Sequence, residues 1–357
     1  MNVSRRSFLF NGLYSGLLSG LAGSLLTGCG VRRRLPTTGG PLVDFHVHLF
    51  GIGDGGTGCF LSDEQKTHAN YRFLRELLGI PKQGGLDRAY VDALVSQLRL
   101  SAVDRAVLMA QDKRYDEMGR PLDEDTHFYV PNDYLLAVCA DHPDLFVPCV
   151  SVNPQRRDAI DELERCAEAG ARVLKVHPPT QVVDPGAKRY RPFYKRVAEL
   201  DVILMVHTGT EHQSSVEHVE WGDPARLRLA LDEGCTVIAA HSGFGSVLDT
   251  DDFFDSLEAL VLKYPRLYCD TGVLASLTRF RTLPRLLANE AVLARAVHAS
   301  DFPFPSNALA FWNKIATTEL TALLEERNLF ERDLRLKLAL GLPAETFTRG
   351  AQLLGLG

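Results

Sequence analysis

The chain has 357 residues, 45% of them hydrophobic and 24% charged, which excludes a disordered, collagen-like or coiled-coil state. Its formal net charge is −6, and no long basic run follows the N-terminal region, so nucleic acid is excluded as the expected partner.

The chain opens Ser4-Arg5-Arg6-Ser7-Phe8-Leu9. Adjacent arginines followed by Phe-Leu resemble a twin-arginine export signal. The apolar run from Asn11 to Gly28 has a length that suits a signal core better than a stable membrane span. It ends Leu26-Thr27-Gly28-Cys29, which is similar to a lipobox. That similarity implies cleavage before Cys29 and a diacylglycerol on its thiol; the alternative is an uncut N-terminal anchor helix. Either reading puts the rest of the chain outside the cytoplasm and tethers it to a membrane. Residues 1–28 are thus read as an export signal, 29–40 as a lipidated tether and 41–357 as one domain.

Eight apolar runs rich in Val, Ile and Leu follow: Leu42–Phe50, Val103–Ala110, Phe146–Val152, Arg172–His177, Val202–His207, Val237–His241, Leu267–Asp270 and Val297–Ser300. From the fourth onward they begin about 30 residues apart, the size of a βαβ unit. Helix-like stretches lie between them, such as Arg157–Ala169, stopped by Gly170, and Leu257–Lys263, stopped before Pro265. The expected fold class is therefore α/β, a (β/α)8 TIM barrel. A doubly wound sheet would alternate in the same way; the position of the polar residues favours the barrel.

The first gap is about twice the usual unit. It holds the glycine-rich Gly51–Gly56 and two expected helices, near Asp63–Leu78 and Leu86–Leu100, read as a helical lid inserted after strand 1. The glycine loop lacks the GxGxxG and GxxxxGK[ST] spacings and is not a phosphate cradle. Gln111–Pro131 is expected as a second long loop on the active face. A helix around Ala308–Arg327 and the segment Pro343–Leu356 are expected to cover the outside of the barrel.

The chemistry lies at the strand ends. Strand 1 reads Asp44-Phe45-His46-Val47-His48-Leu49. Alternation turns His46 and His48 into the barrel and Phe45, Val47 and Leu49 toward the helices, with the two imidazoles about 7 Å apart along the strand. Two such groups can grip one divalent cation. Lys175 and His177 end strand 4, His207 ends strand 5, His241 ends strand 6 and Asp301 follows strand 8. The C-terminal ends of the strands are the catalytic face of such barrels. A buried carboxylate or lysine there needs a partner, and a metal supplies one.

DFHVH, KVHPP, VHTG, AHSGFG and SDFPF, at strands 1, 4, 5, 6 and 8, together resemble the amidohydrolase superfamily, and within it the branch of aminocarboxymuconate-semialdehyde-decarboxylase-like enzymes. The segment Phe128–Pro154 and the run Leu342–Leu356 share that resemblance. It covers roughly Pro41 to Leu356, with Gly51–Leu100 the least typical part. It implies a divalent metal of zinc type, one or two ions, held by His46, His48, His207 and Asp301. Asp301 would also move the proton of the attacking water. His241 would bind a second ion or point at substrate. Lys175 would bridge two ions as a carbamate, or stand as a charged lysine paired with Asp301 or a substrate carboxylate.

The expected activity is metal-dependent hydrolysis of an amide- or lactone-type C–N or C–O bond in a small molecule. The alternatives are a metal-dependent decarboxylase of the same fold and a non-catalytic ligand-binding lipoprotein. His177 and His212 are candidate substrate contacts, His212 lying beside Glu211 in the loop after strand 5; a structural hydrogen bond and a solvated loop histidine are their respective alternatives. Asp270 is read as structural. Most of Arg189, Arg191, Arg279 and Arg281 are read as surface residues, with an acidic substrate as the other use. His68, His127, His142, His218 and His298 have no supporting spacing. Seven cysteines without a CxxC pair suggest buried thiols. Homo-oligomerisation is left open.

Overall fold

In the computed structural model, residues 40–211, 218–249 and 252–356 are described, and the eight apolar runs form eight parallel strands. They are β1 Val43–His48, β2 Arg105–Met109, β3 Phe146–Ser151, β4 Val173–Val176, β5 Ile203–His207, β6 Val237–Ala240, β7 Leu267–Asp270 and β8 Ala296–Val297. Each pairs with the next in chain order, so the sheet winds in one direction, with helices in the connections. β8 is only two residues long, and the chain beyond it closes the ring. Phe45 N–H donates to His298 O, Asp301 N–H to His46 O and His48 N–H to Phe302 O, each at 2.9 Å. The fold is a (β/α)8 barrel. The signal-like segment and Cys29 lie outside the described residues, as does His212. No described helix is long and apolar enough to cross a membrane.

Strands buried on both faces need apolar residues on both, and these have them. Val173, Ile203, Met205 and Ile238 form the inner layer, while Leu174, Val176, Leu204 and Val206 pack toward the helices. Strand β1 departs from simple alternation. Asp44 pairs with Ala106 and Val47 with Leu108, so Phe45 and His46 stand against one residue of β2, Val107. This bulge turns Phe45 into the inner layer, where it packs with Val43, and not toward the helices as alternation had suggested. It also resets the phase, so that His46 and His48 both reach the mouth.

The lid helices are Asp63–Thr67, Ala69–Leu77 and Leu86–Arg99. Asp54 caps the last of these by accepting from Leu86 N–H (2.7 Å) and Asp87 N–H (2.9 Å). Asp87 answers by accepting from Ile52 N–H (2.6 Å) and Gly53 N–H (3.0 Å). The glycine loop thus spends these amides on a carboxylate of its own chain. Gly53 has φ +90, and a Cβ there would stand 2.5 Å from Cys59 O, so the turn requires glycine. Tyr90 O–H donates to His48 O at 2.6 Å, which ties the lid to the end of β1. Phe60–Leu61 pairs antiparallel with Phe128–Tyr129, joining the lid to the Gln111–Pro131 loop.

Two outer expectations change. The stretch Ala308–Arg327 is not one helix: a 3-10 turn at Ala308–Phe311 is followed by extended Ala316 (φ −64, ψ 145), and the helix restarts at Thr317–Glu325. The final helix, Ala344–Leu353, does more than cover the outside. Its Ala351 joins Val43 and Phe45 in one cluster, at the end where the strands begin. All six described cysteines are buried free thiols.

Candidate metal centre and cavity

The bulge on β1 delivers His46 into a ring of polar side chains. His46 Nδ1–H donates to Asp270 Oδ2 at 2.8 Å, so its Nε2 carries a lone pair. That Nε2 lies 3.2 Å from Asp301 Oδ1, and Lys175 Nζ–H donates to it at 3.3 Å. His48 Nε2 lies 3.0 Å from the same Asp301 oxygen. Asp301 Oδ1 is buried and receives no hydrogen bond, although two imidazole nitrogens approach it. A carboxylate oxygen that accepts no bond and faces the His46 lone pair is repelled unless a cation lies between them, so the donor set fits a divalent metal. His46, His48 and Asp301 form one group of candidate ligands whose atoms lie within 4.8 Å of one another.

His207 and His241 face this group from β5 and the end of β6. The His241 ring lies 4.9 Å from that of His46 and 4.8 Å from that of His207. His241 Nδ1–H donates to Gly272 O at 3.2 Å, again leaving Nε2 unprotonated. His207 Nε2 is buried without a hydrogen-bond partner. Burial holds His46, His207 and His241 well below the usual histidine range, in the neutral form that binds metal. Burial also lowers Lys175, and no carboxylate lies within 4 Å of its nitrogen among the described residues.

Asp270, read as structural from sequence, is a hub. Besides His46, it accepts from His241 N–H at 2.7 Å and Gly272 N–H at 2.9 Å. It orients the candidate ligands from behind, the usual task of a carboxylate next to a metal-binding histidine. Asp301 and His241 both have left-handed backbones, φ +65 and +62. Such a conformation costs a non-glycine residue roughly 1–2 kcal/mol and persists only where neighbours enforce it.

His177 stacks on His207 with centroids 4.1 Å apart. Its Nδ1 accepts from Thr180 N–H at 3.4 Å, so the proton sits on Nε2, which faces Glu211 Oε2 at 3.4 Å. Glu211 also lies 3.7 Å from His207 Nε2. Sequence reasoning placed Glu211 only in the loop after strand 5; its spacing of four from His207 was the available signal.

Above this floor is a cavity of about 250 Å³. Its apolar wall includes Phe50, Leu61, Tyr71, Leu74, Tyr90 and Phe128, drawn from the lid and the loop after β2. His68 and His127, given no role from spacing, line it too. So does Arg279, which is 7% exposed and not a surface residue. Its guanidinium donates to Phe244 O and, at 2.7 Å, to Thr210 O. No described carboxylate pairs with it within 4 Å, although Arg191 does pair with Glu233 at the surface. Nothing in the spacing around Arg279 marks it.

A model of the family described as Amidohydrolase matches residues 43–327, and the chain belongs to that family. The family and the histidine–aspartate cluster together define a metal-dependent enzyme of the amidohydrolase fold. Among solved structures, the chain is similar to an uncharacterized TIM-barrel protein from Bordetella bronchiseptica, with 13% identity, 88% of this chain and 99% of that one covered, and a TM-score of 0.58. It is similar to a putative 2-pyrone-4,6-dicarboxylic acid hydrolase from Pseudomonas putida, with 17% identity, coverage of 88% and 98%, and a TM-score of 0.54. It is also similar to the manganese-bound 5-carboxyvanillate decarboxylase of Novosphingobium aromaticivorans, with 12% identity, coverage of 92% and 100%, and a TM-score of 0.51. A search of curated protein sequences gives no match.

Proposed function

We propose that the protein hydrolyses an amide- or lactone-type C–N or C–O bond of a small molecule that carries a carboxylate. The observation that carries this reading is the Asp301 oxygen set between His46 Nε2 and His48 Nε2 at the floor of the cavity. His46, His48, His207 and Asp301 would hold a divalent cation, zinc or manganese. His241 and Lys175 are the further ligands if a second ion is bound. A divalent ion held there would lower the pKa of water and polarise a carbonyl.

The chain's own groups do the rest. Asp301 accepts a proton from the attacking water and returns it to the leaving group. His241 Nε2, with its ring fixed through Nδ1, orients the substrate carbonyl. Arg279 receives a carboxylate: its two backbone acceptors fix the guanidinium plane without neutralising it. His177 and Glu211 line the same side, and the lid's aromatic wall excludes water from the reacting group.

The test is a panel of lactones, amides and esters in matched pairs with and without a carboxylate, beside aromatic carboxylates, assayed on metal-loaded protein. Cleavage of the carboxylate-bearing members is expected. Release of CO2 from aromatic acids without cleavage of any ester or amide would replace hydrolysis by decarboxylation. We propose further that the chain is exported and lipid-anchored at Cys29, on the strength of Arg5-Arg6 and Leu26–Cys29. Cys29→Ser should then release the protein from the membrane fraction.

A further inference from the structure

The segment that carries Asp301 has almost no strand structure to hold it. β8 stops at Val297, and Asp301 lies four residues on with φ +65. The intervening chain is tied by His298 N–H to Thr346 O at 2.9 Å, Ala299 N–H to Thr271 Oγ1 at 3.0 Å and Val273 N–H to Ser300 O at 3.3 Å, and two buried ionisable side chains also meet on one of its peptide groups. The Ala299 carbonyl accepts from Lys337 Nζ at 2.6 Å, and the N–H of the same peptide, that of Ser300, donates to Asp44 Oδ1 at 2.9 Å. Lys337 and Asp44 are both 0% exposed. Lys337 Nζ also donates to Asp333 Oδ2 at 2.6 Å, one turn back on the helix Leu329–Ala339. Asp44 Oδ1 accepts in addition from His46 N–H at 3.1 Å.

An ammonium on the carbonyl and a carboxylate on the amide act in the same sense on the peptide dipole, and a low-dielectric interior strengthens both bonds. The peptide plane two residues before Asp301 is thereby fixed. Its carboxylate clamp also grips the backbone of His46, and the Asp301 N–H then donates to His46 O at 2.9 Å. Stability alone is a weak reason for this arrangement. A buried ion pair is usually matched or bettered by apolar residues of the same volume, so Lys337 and Asp333 are an expensive way to fill a core.

We propose that Lys337, held by Asp333, is a positioning residue that works with Asp44 through the Ala299–Ser300 peptide to set the Asp301 carboxylate against His46. The inference rests on the reading of Asp301 and His46 as metal ligands, and it concerns residues about 30 positions beyond the last motif of the sequence. The test is the double variant K337M/D333N, which removes the ammonium without leaving an unpaired buried charge. If it does not fold, K337Q/D333N, which keeps a hydrogen-bonded pair of similar bulk, takes its place. Three readouts are taken on one preparation: metal affinity by chelator competition, kcat against KM, and the crystal structure.

The expected result is metal affinity weakened by about tenfold or more. The kcat should fall with KM little changed, and the Asp301 carboxylate should move off the His46 Nε2 position. A variant with a lowered melting temperature but unchanged metal affinity and kcat would reduce the pair to a stabilising role and overturn the proposal. If the wild-type chain binds no divalent metal, the metal reading fails, and the crystal structure alone decides the positioning claim: an Asp301 carboxylate still in place overturns it.

Discussion

Replacing Asp270 by Asn changes one atom and one charge, and its consequence follows from the hydrogen bonds. Oδ1 accepts from two backbone N–H groups, His241 at 2.7 Å and Gly272 at 2.9 Å, while Oδ2 accepts from His46 Nδ1 at 2.8 Å. The two backbone donors require an oxygen, so the Asn amide oxygen takes the Oδ1 place. Its NH2 then faces His46 Nδ1. Two donors cannot share that contact, and His46 moves its proton to Nε2. The nitrogen that should bind metal is then occupied. Loss of the charge-assisted bond costs roughly 1.5–3 kcal/mol, and the tautomer change should weaken metal binding by about 10- to 100-fold. Chelator competition gives the metal affinity, and thermal unfolding of the metal-free protein gives the stability. A D270N variant with metal affinity within twofold of wild type would refute the tautomer argument, whatever its melting temperature.

Asp301→Asn should leave the melting temperature near that of wild type, because the Asp301 backbone bond to His46 O survives, while turnover falls by roughly 10² or more. Full activity in that variant would remove Asp301 from the proton path. Lys175→Ala should lower the metal content from near two ions per chain if the lysine bridges; an unchanged single ion, read by elemental analysis, would exclude the bridge. The metal-free protein should lose stability as pH falls from about 7.5 to 5.5. His46, His207, His241 and His298 are held neutral by burial, but the unfolded chain protonates them below about pH 6.5, so it binds more protons than the fold. Asp44 and Asp333, raised by burial to about 7 and about 6, take up protons in the fold and act the other way. Burial lowers His177 as well, adding to the first set, and raises Asp112, adding to the second, so the histidines remain in excess; denaturant titrations showing a gain in stability over that range would contradict the balance.

The barrel was legible because parallel strands buried on both faces leave continuous apolar runs, and their polar ends carried the candidate ligand residues. His46, His48, Lys175, His207, His241 and Asp301 do converge on one end of the barrel. The bulge at Phe45–His46 was not legible, because nothing in DFHVH distinguishes strict alternation from one extra residue; only pairing with Ala106 and Leu108 does. Asp270 looked structural because its partners come from β1 and from the segment after β6, far away in sequence. Arg279 and Glu211 sit in loops without periodicity, where neither burial nor facing can be read from spacing. The clamp by Lys337 was hidden for a related reason: on an amphipathic helix a lysine reads as solvated, and only the tertiary structure, which sets its Nζ on Ala299 O and Asp333, buries it completely.

The central claim is that His46, His48, His207 and Asp301 hold a catalytic divalent metal. Elemental analysis of the purified chain beside a His46→Asn/His48→Asn variant tests it most directly. At least one equivalent of zinc or manganese is expected in the wild type and close to none in the variant, with circular dichroism unchanged. A folded variant that keeps the wild-type metal content would contradict it.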